Sequence, residues 1–354
     1  MNWIQRQLNR PFFIRLLHWE FWSFGAVYSP IYIVWITLCV RARSFFYFAA
    51  SNPRIKNGGF LNESKKEICL MIPQDIHPKT AFFSIPSNPD IVLSELKRLG
   101  LQFPLIGKPD IGGRGRGVKA LKDENDVREY VKNAFLDFHI QEFVSYKNEV
   151  GIFYYRYPDE VSGNISGIVR KEFLKITGDG RSTTRDLLLK NKRAVLQLKN
   201  LAQSNADLLK QILPSGEEQI IVPYGNHARG AEFLDDSHLV NPEITATIDQ
   251  LCKRIPDFYF GRLDIRYDNW KDLVNGRSFS IIEVNGAGSE PTHIYDPKHS
   301  VFFAWKEIIR HWVILFHISR INHRKGFRYL TTKEGIQMFR ENKLISQKLA
   351  AMQP

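Results

Sequence analysis

Two pairs of residues late in the chain have the types and the spacing to hold a metal ion beside a phosphoryl group. Arg262 and Asp264 are two apart in FGRLDIR, and Glu283 and Asn285 are two apart in FSIIEVNG. Both segments read as strands, and a strand places residues i and i+2 on one face. The turn-rich stretch from Tyr267 to Ser278 returns the second strand antiparallel beside the first. Asp264, Glu283 and Asn285 then offer hard oxygen atoms at one place, the donors that Mg²⁺ prefers when it also binds nucleotide phosphates. Arg262 projects beside them, where a guanidinium can bind a transferring phosphoryl group or an oxyanion. Two strands whose charged faces merely meet solvent would carry the same pattern.

A second candidate lies upstream. FPLIGKP, an apolar strand ending in Lys108, runs into the glycine-rich DIGGRGRGV from Asp110 to Val118. Glycine lets backbone N–H groups converge on phosphate oxygens, and Lys108, Arg114 and Arg116 supply positive charge. The GxxxxGK[ST] pattern is absent. An ordinary hairpin or an RGG-like tract would look similar.

The elements that must position these residues alternate short apolar runs with capped helices from Pro78 onward. Asn88-Pro89-Asp90 opens a helix that Gly100 ends, and Asn241-Pro242-Glu243 opens another with Ile244, Ile248, Leu251, Cys252 and Ile255 on one stripe. Strands are expected over 105–108, 139–144, 149–155, 167–176, 219–223, 262–267 and 279–284, giving a mixed α+β chain without repeats. Gly178-Asp179-Gly180 reads as a turn, with Ser182 or Thr183 capping the helix that follows. His227 and His293 read as structural hydrogen-bonders. Cys39, Cys69 and Cys252 are odd in number and far apart, which excludes a disulfide framework and zinc spacing.

With its motifs in this order the chain resembles ATP-grasp enzymes, in the branch of the D-alanine–D-alanine ligase-like and cyanophycin-synthetase-like carboxylate–amine ligases. The resemblance runs from about Pro78 to Pro297. FPLIGKP with GGRGRGV resembles the lysine strand and phosphate-covering loop. HIQEFV followed by Glu149 resembles the hinge that bonds adenine and the acid that holds the ribose. ITGDGRSTTRDLL is similar to the GDG-S-T segment of this branch, and GRLDIR and IIEVNG resemble its R-x-D and E-x-N metal strands. GNHARGAEFLDD and GSEPTHIYDP resemble segments of a bacterial group of D-alanine–D-alanine ligase-like proteins.

The resemblance implies an ATP-grasp fold, two α+β subdomains gripping ATP, over residues 78–300. Lys108 would contact ATP phosphates, and Gly112, Gly113, Arg114, Gly115, Arg116 and Gly117 would close over them. Gln141, Glu142 and Val144 would border adenine, with Glu149 on the ribose and Lys171 or Lys175 as a second phosphate lysine. Asp264, Glu283 and Asn285 would hold two Mg²⁺ ions, with Arg262 as the catalytic residue near an acyl phosphate. The implied activity is ATP-dependent amide or peptide bond formation between a carboxylate and an amine, releasing ADP and phosphate. A non-catalytic relative that binds nucleotide or lipid as a scaffold at the membrane is the alternative.

The ends of the chain have a different character. Of 354 residues with a formal charge of +12, residues 1–56 hold 7 basic side chains against 1 acidic, and residues 300–354 hold 10 against 3. The middle is close to neutral. Phe21–Val40 runs for 20 residues without a formal charge, flanked by Arg6, Arg10 and Arg15 before it and Arg41 and Arg43 after it. It is long enough to span a bilayer, although Pro30 would kink it, so that a segment resting in one leaflet or a core helix are the other two readings. No small-residue cleavage site follows, so a cleaved signal peptide is not expected. Residues 301–354 read as amphipathic basic helices. Basic charge beside Trp-rich apolar stretches favours a membrane surface over nucleic acid, for which no recognised module is present. Family members usually carry an α/β domain before the core, and residues 1–77 leave little room for one. The expected substrates are therefore membrane- or envelope-linked, at the cytoplasmic face of the cell membrane. The oligomeric state is left open, a homodimer included.

Overall fold

The computed structural model describes residues 10–113, 115–222, 225 and 227–351. Among these, the strands are β1 (Thr80–Phe83), β2 (Leu105–Pro109), β3 (Lys119–Leu121), β4 (Phe138–Glu142), β5 (Asn148–Tyr155), β6 (Asn164–Glu172), β7 (Leu174–Thr177), β8 (Glu218–Val222), β9 (Glu232–Asp235), β10 (Phe260–Tyr267) and β11 (Phe279–Asn285). The chain divides into two compact units. The expected strand over 167–176 is split, because pairing stops at Phe173 and resumes in β7.

The larger unit comprises Ile33–Ile168, Ser237–Pro291 and Ile309–Pro354. Its first sheet is antiparallel in the order β1-β4-β2-β3. Helices Pro89–Arg98 and Glu124–Lys132 cover one face, where Val92, Leu96, Val127 and Val131 meet Leu105, Leu121, Phe138 and Ile140. Strand alternation sends Lys108, His139 and Gln141 to the opposite face. Asn88 caps the first of these helices by accepting from Asp90 N, with Pro89 in the first turn, as its Asn-Pro-Asp signature predicts.

The second sheet of this unit runs β11-β10-β5-β6. One face packs Val150, Ile152, Tyr154, Leu263, Ile265 and Val284 against Ile244, Ile248 and Cys252 of helix Pro242–Lys253. The same alternation puts Glu149, Arg262, Asp264 and Arg266 on the other face. An aromatic core completes the unit, with Trp35, Leu38 and Cys39 of helix Tyr32–Ala42 packed with Tyr47, Phe48, Phe60 and Trp312.

The smaller unit comprises Met1–Tyr32, Val169–Asp236 and Thr292–Ile308. It holds the antiparallel pair β7–β8 and the pairing of β9 with Val169–Glu172 at the end of β6. Leu174, Ile176, Leu188, Leu201, Leu213 and Ile221 form its core. Asp179 makes the expected turn by accepting from Ser182 N at 2.7 Å, and Thr183 then opens helix Thr184–Leu188 with a capping box to Asp186. Glu20 ties the N-terminal stretch to this unit, accepting from Arg193 Nη2 at 2.5 Å and lying 3.1 Å from His227 Nε2. His293 likewise pairs with Glu307 at 3.3 Å.

Candidate active site

Strands β10 and β11 pair antiparallel, and their register sets Asp264 opposite Glu283 and Arg262 opposite Asn285. Below this level the register slips, because Ile265 pairs with Ile281 and leaves Ile282 as the extra residue of a bulge. A bulge re-aims the side chains beside it. Two carboxylates directly across a strand pair repel one another, so the arrangement calls for positive charge. Arg262 meets that need at Asp264, its Nε at 2.8 Å from Oδ1 and its Nη2 at 3.2 Å from Oδ2. Its Nη1 reaches Glu290 O at 3.4 Å. Burial opposes the Arg262 charge, but Asp264, Glu283 and Glu290 outweigh it and raise the guanidinium pKa above its ordinary value.

Lys108, at the end of β2, is the second cation of the site. Burial lowers its pKa, and Glu283 is the first of the groups that work against this. Its Nζ donates to Gln141 Oε1 at 2.7 Å. The Gln141 amide donates in turn to Thr80 Oγ1 at 3.0 Å and lies 3.3 Å from His77 Nε2. Cys69 Sγ is 3.2 Å from the same nitrogen. Burial, then the Lys108 charge, pushes the His77 pKa down to about 4, and burial pushes the Cys69 thiol up to about 12. The imidazole is therefore neutral, and its Nε2 lies between the Cys69 thiol and the Gln141 amide. The buried Gln141 thus holds the lysine within an internal chain of hydrogen bonds.

The glycine loop is anchored from its base. Asp110 O accepts from Lys65 N at 3.1 Å, and Asp110 Oδ1 accepts from Ser64 Oγ and from Lys66 N at 3.0 and 2.7 Å. Lys65 Nζ donates to Gly112 O at 2.5 Å. Gly117 has φ +69°, and a Cβ there would stand 2.6 Å from Pro109 Cγ, so only glycine fits this return. Leu349 of the C-terminal helix packs against the loop, its Cδ1 lying 2.8 Å from where a Gly112 Cβ would be. Gly113 is exposed, and Gly115 and Arg116 continue the loop. Arg114 lies outside the described residues.

The remaining expected positions are distributed as follows. Glu149 is buried and faces Arg266, whose Nε lies 3.3 Å from Glu149 Oε2. Arg266 Nη1 also donates to Val144 O at 3.4 Å and Tyr146 O at 3.2 Å. The acid and the carbonyl assigned to ribose and adenine thus share one arginine, and its signal in the sequence is its place two residues after Asp264. Glu142 is exposed, with Lys79 N 3.4 Å from its Oε2. Lys171 and Lys175 belong to the smaller unit. Lys171 is buried with its Nζ 6.0 Å from the Phe233 ring centroid, whereas Lys175 is exposed and paired with Glu218 at 3.1 Å.

Residues 52–60 brace strands β10 and β11, a role that the spacing of the motifs does not reveal. Asn52 is fully buried and donates to Gly58 O at 2.9 Å and Phe260 O at 2.8 Å. It accepts from Tyr259 N at 2.9 Å and Phe260 N at 3.0 Å. Ala287 N and Gly288 N bond Gly58 O and Gly59 O at 3.0 and 2.8 Å, so the turn after Asn285 rests on this segment. A Cβ at Gly59 would stand 2.7 Å from Gly286 Cα, so this approach requires glycine.

For a cation the donor chemistry fits. Asp264 and Glu283 supply carboxylate oxygens, and the buried Asn285 Nδ2 has no hydrogen-bond partner. The amide group can be turned over to bring its oxygen to that place, which completes a set of hard donors. Among the described residues there is no cluster of three or more His, Cys, Asp or Glu side chains arranged to hold a metal, so the amide is needed.

No protein-family model matches the chain, and no curated protein matches it. Among solved structures it is similar to the D-alanine–D-alanine ligase of Bacillus anthracis, at 14% identity over 76% of this chain and 71% of that one, with a TM-score of 0.44. It is also similar to the VanG D-Ala:D-Ser ligase of Enterococcus faecalis, at 14% identity over 71% and 60% of the two chains and a TM-score of 0.40. A third is the bifunctional glutathione synthetase of Pasteurella multocida, at 12% identity over 68% and 34%, with a TM-score of 0.37. The chain thus spans about a third of the glutathione synthetase and 60% of the VanG ligase.

Proposed function

We propose that the chain is an ATP-grasp enzyme that joins a carboxylate to an amine and converts ATP to ADP and phosphate. The observation that carries this is the pair Asp264 and Glu283, set opposite one another on neighbouring strands with Arg262 and Lys108 as the cations acting on them. Lys108 balances phosphate charge, and the anchored glycine loop offers N–H groups to the same phosphates. A substrate carboxylate oxygen attacks the γ-phosphorus, the bond to the ADP oxygen breaks, and an acyl phosphate forms. The amine then attacks the acyl carbon and loses its proton, and inorganic phosphate leaves. Arg262 steadies the oxyanion of that second step. Asp264, Glu283 and Asn285 would hold Mg²⁺, two ions in the full assignment, which neutralises charge developing on the phosphates.

Asp264 is tied to Arg262, and Glu149 and Val144 O are tied to Arg266. In the catalytic reading these arginines release their partners as ligand enters. The same ties favour a second reading, a nucleotide- or lipid-binding scaffold without turnover. Release of ADP and phosphate that depends on an acceptor amine, and is lost in Glu283→Ala, supports the enzyme. ATP binding with no turnover for any carboxylate–amine pair supports the scaffold.

The substrates we assign are membrane- or envelope-linked, and the site of action is the cytoplasmic face of the membrane. Phe24–Ala42 is long and apolar enough to cross a membrane by length and composition. Phe12, Leu16, Leu17 and Phe24 of the smaller unit are more than half exposed, beside Arg10 and Arg15. Charge and apolar surface at the same end suit a lipid headgroup region rather than nucleic acid. Recovery in the soluble fraction, with none on membranes, would remove this part of the assignment and leave the ligase chemistry standing.

A further inference from the structure

We infer that helix Tyr32–Ala42 lies in the plane of one leaflet, docking the larger unit on an anionic lipid surface, and does not cross the bilayer. The inference rests on the membrane assignment above and fixes its mode. The helix has two apolar faces. Trp35, Leu38 and Cys39 face inward, and Trp35 packs on Tyr47, Phe48, Phe60 and Trp312. A crossing segment would have to leave that aromatic core. Ile33, Ile36 and Val40 face outward at 68%, 49% and 69% exposure, and Phe45 follows at 64%. Thr37 is the polar residue within this stripe, and its hydroxyl donates to Ile33 O at 2.8 Å, so it carries no unmet donor toward hydrocarbon.

The helix Tyr32–Ala42 is 11 residues long, but the helical run that ends in it, Phe24–Ala42, has 19 residues, so the inward packing of Trp35, Leu38 and Cys39, and not length, decides against a crossing. Its geometry suits the boundary between headgroups and acyl chains, where an amphipathic helix buries one face. Charge selects the lipid. Arg41 and Arg43 are exposed at the C-terminal end of the stripe and make no ion pair with a described residue. The Arg41 guanidinium stands 5.5 Å from the Phe316 ring centroid, and Arg320 stands 5.3 Å from the same ring. These cations have lipid phosphates as natural partners.

The test uses the full chain and its Ile36→Asp/Val40→Asp variant, both exposed positions whose change leaves the inward core untouched. Co-sedimentation is measured with vesicles of phosphatidylcholine alone and with about one-third phosphatidylglycerol. We expect binding to the anionic vesicles, and a loss of at least about a hundredfold in partition constant for the variant. Binding that the variant leaves unchanged overturns the assignment of this stripe. In sealed membrane vesicles, epitope tags at the N- and C-termini should be digested by protease from the same side; digestion from opposite sides means a span and overturns the inference. A dimer in sedimentation that the variant dissociates would assign the stripe to a second copy instead. Failure of the wild-type chain to bind any vesicle removes the membrane assignment itself.

Discussion

Replacing Asp264 by asparagine keeps the shape of the side chain and removes the charge that faces both Arg262 and, in the proposed function, the metal. Both partners are largely buried, at 5% side-chain exposure for Asp264 and 15% for Arg262. The carboxylate takes two guanidinium N–H groups, whereas an amide offers one oxygen and turns an NH₂ toward the other. Breaking a buried ion pair from one side costs about 3–5 kcal/mol, because the remaining charge is left uncompensated. The unliganded variant should therefore lose about 3 kcal/mol in urea denaturation. Ligand linkage supplies an independent measurement. A ligand at a hundred times its Kd stabilises the folded state by about 2.7 kcal/mol. With Mg²⁺ and ATP at that level, the wild-type chain should gain this amount and Asp264→Asn should gain almost nothing. Glu283→Gln keeps the Arg262 fork to Asp264, so it should lose the ligand-induced gain at a smaller cost to the unliganded protein. An Asp264→Asn chain that keeps the full Mg²⁺–ATP stabilisation would refute the assignment of Asp264 as a metal donor. A loss below about 1 kcal/mol without ligand would refute the electrostatic role of the pair.

Three further outcomes can be measured on the same material. Asn52→Ala removes the side-chain partner of Tyr259 N, Phe260 N and Phe260 O and leaves Gly58 O with Ala287 N alone, and should cost about 3–5 kcal/mol in stability; a loss under 1 kcal/mol would mean that water replaces the amide. The His77 pKa is about 4 in the folded chain and near 6.5 when free, so the unfolded chain binds the proton first as pH falls. Stability should be unaffected by His77 above pH 6.5 and should fall by about 3 kcal/mol on the way down to pH 4, a slope that His77→Gln removes in pH-dependent urea midpoints. Leu349→Ser loosens the packing on the glycine loop and should raise KM for ATP several-fold with a smaller change in kcat. Equal losses in both constants would show that the contact supports general stability instead.

Local rules carried much of the fold into view. The paired strands β10 and β11 follow from period-two alternation and a turn between them, and the caps at Asn88, Thr183 and Asn241 follow from side chains that bond their own helix starts. The contacts that organise the site are of another kind. Asn52 reaches Tyr259 and Phe260 across more than 200 residues, and a spacing rule has no access to such a partner. Gln141 turned out to face inward because β4 places it beside Lys108, and its register is a property of the sheet rather than of HIQEFV alone.

The apolar run near the N-terminus shows a limit of composition itself. Lipid and a buried aromatic core both select apolar side chains, so a count of residues cannot separate a span from a core helix or an interfacial one. The helix Tyr32–Ala42 carries apolar side chains on two sides, an inner one packed on rings and an outer one, Ile33, Ile36 and Val40, that is exposed. What distinguishes the cases is how the two faces divide, and that requires knowing which stripe Trp35 and Leu38 occupy relative to Tyr47 and Phe48. Once that stripe is committed to the core, the other is free to meet a surface but the helix is not free to leave it. Charge then gives a direction that hydropathy lacks, because Arg41 and Arg43 close the outer stripe at the end where the chain turns back into the protein.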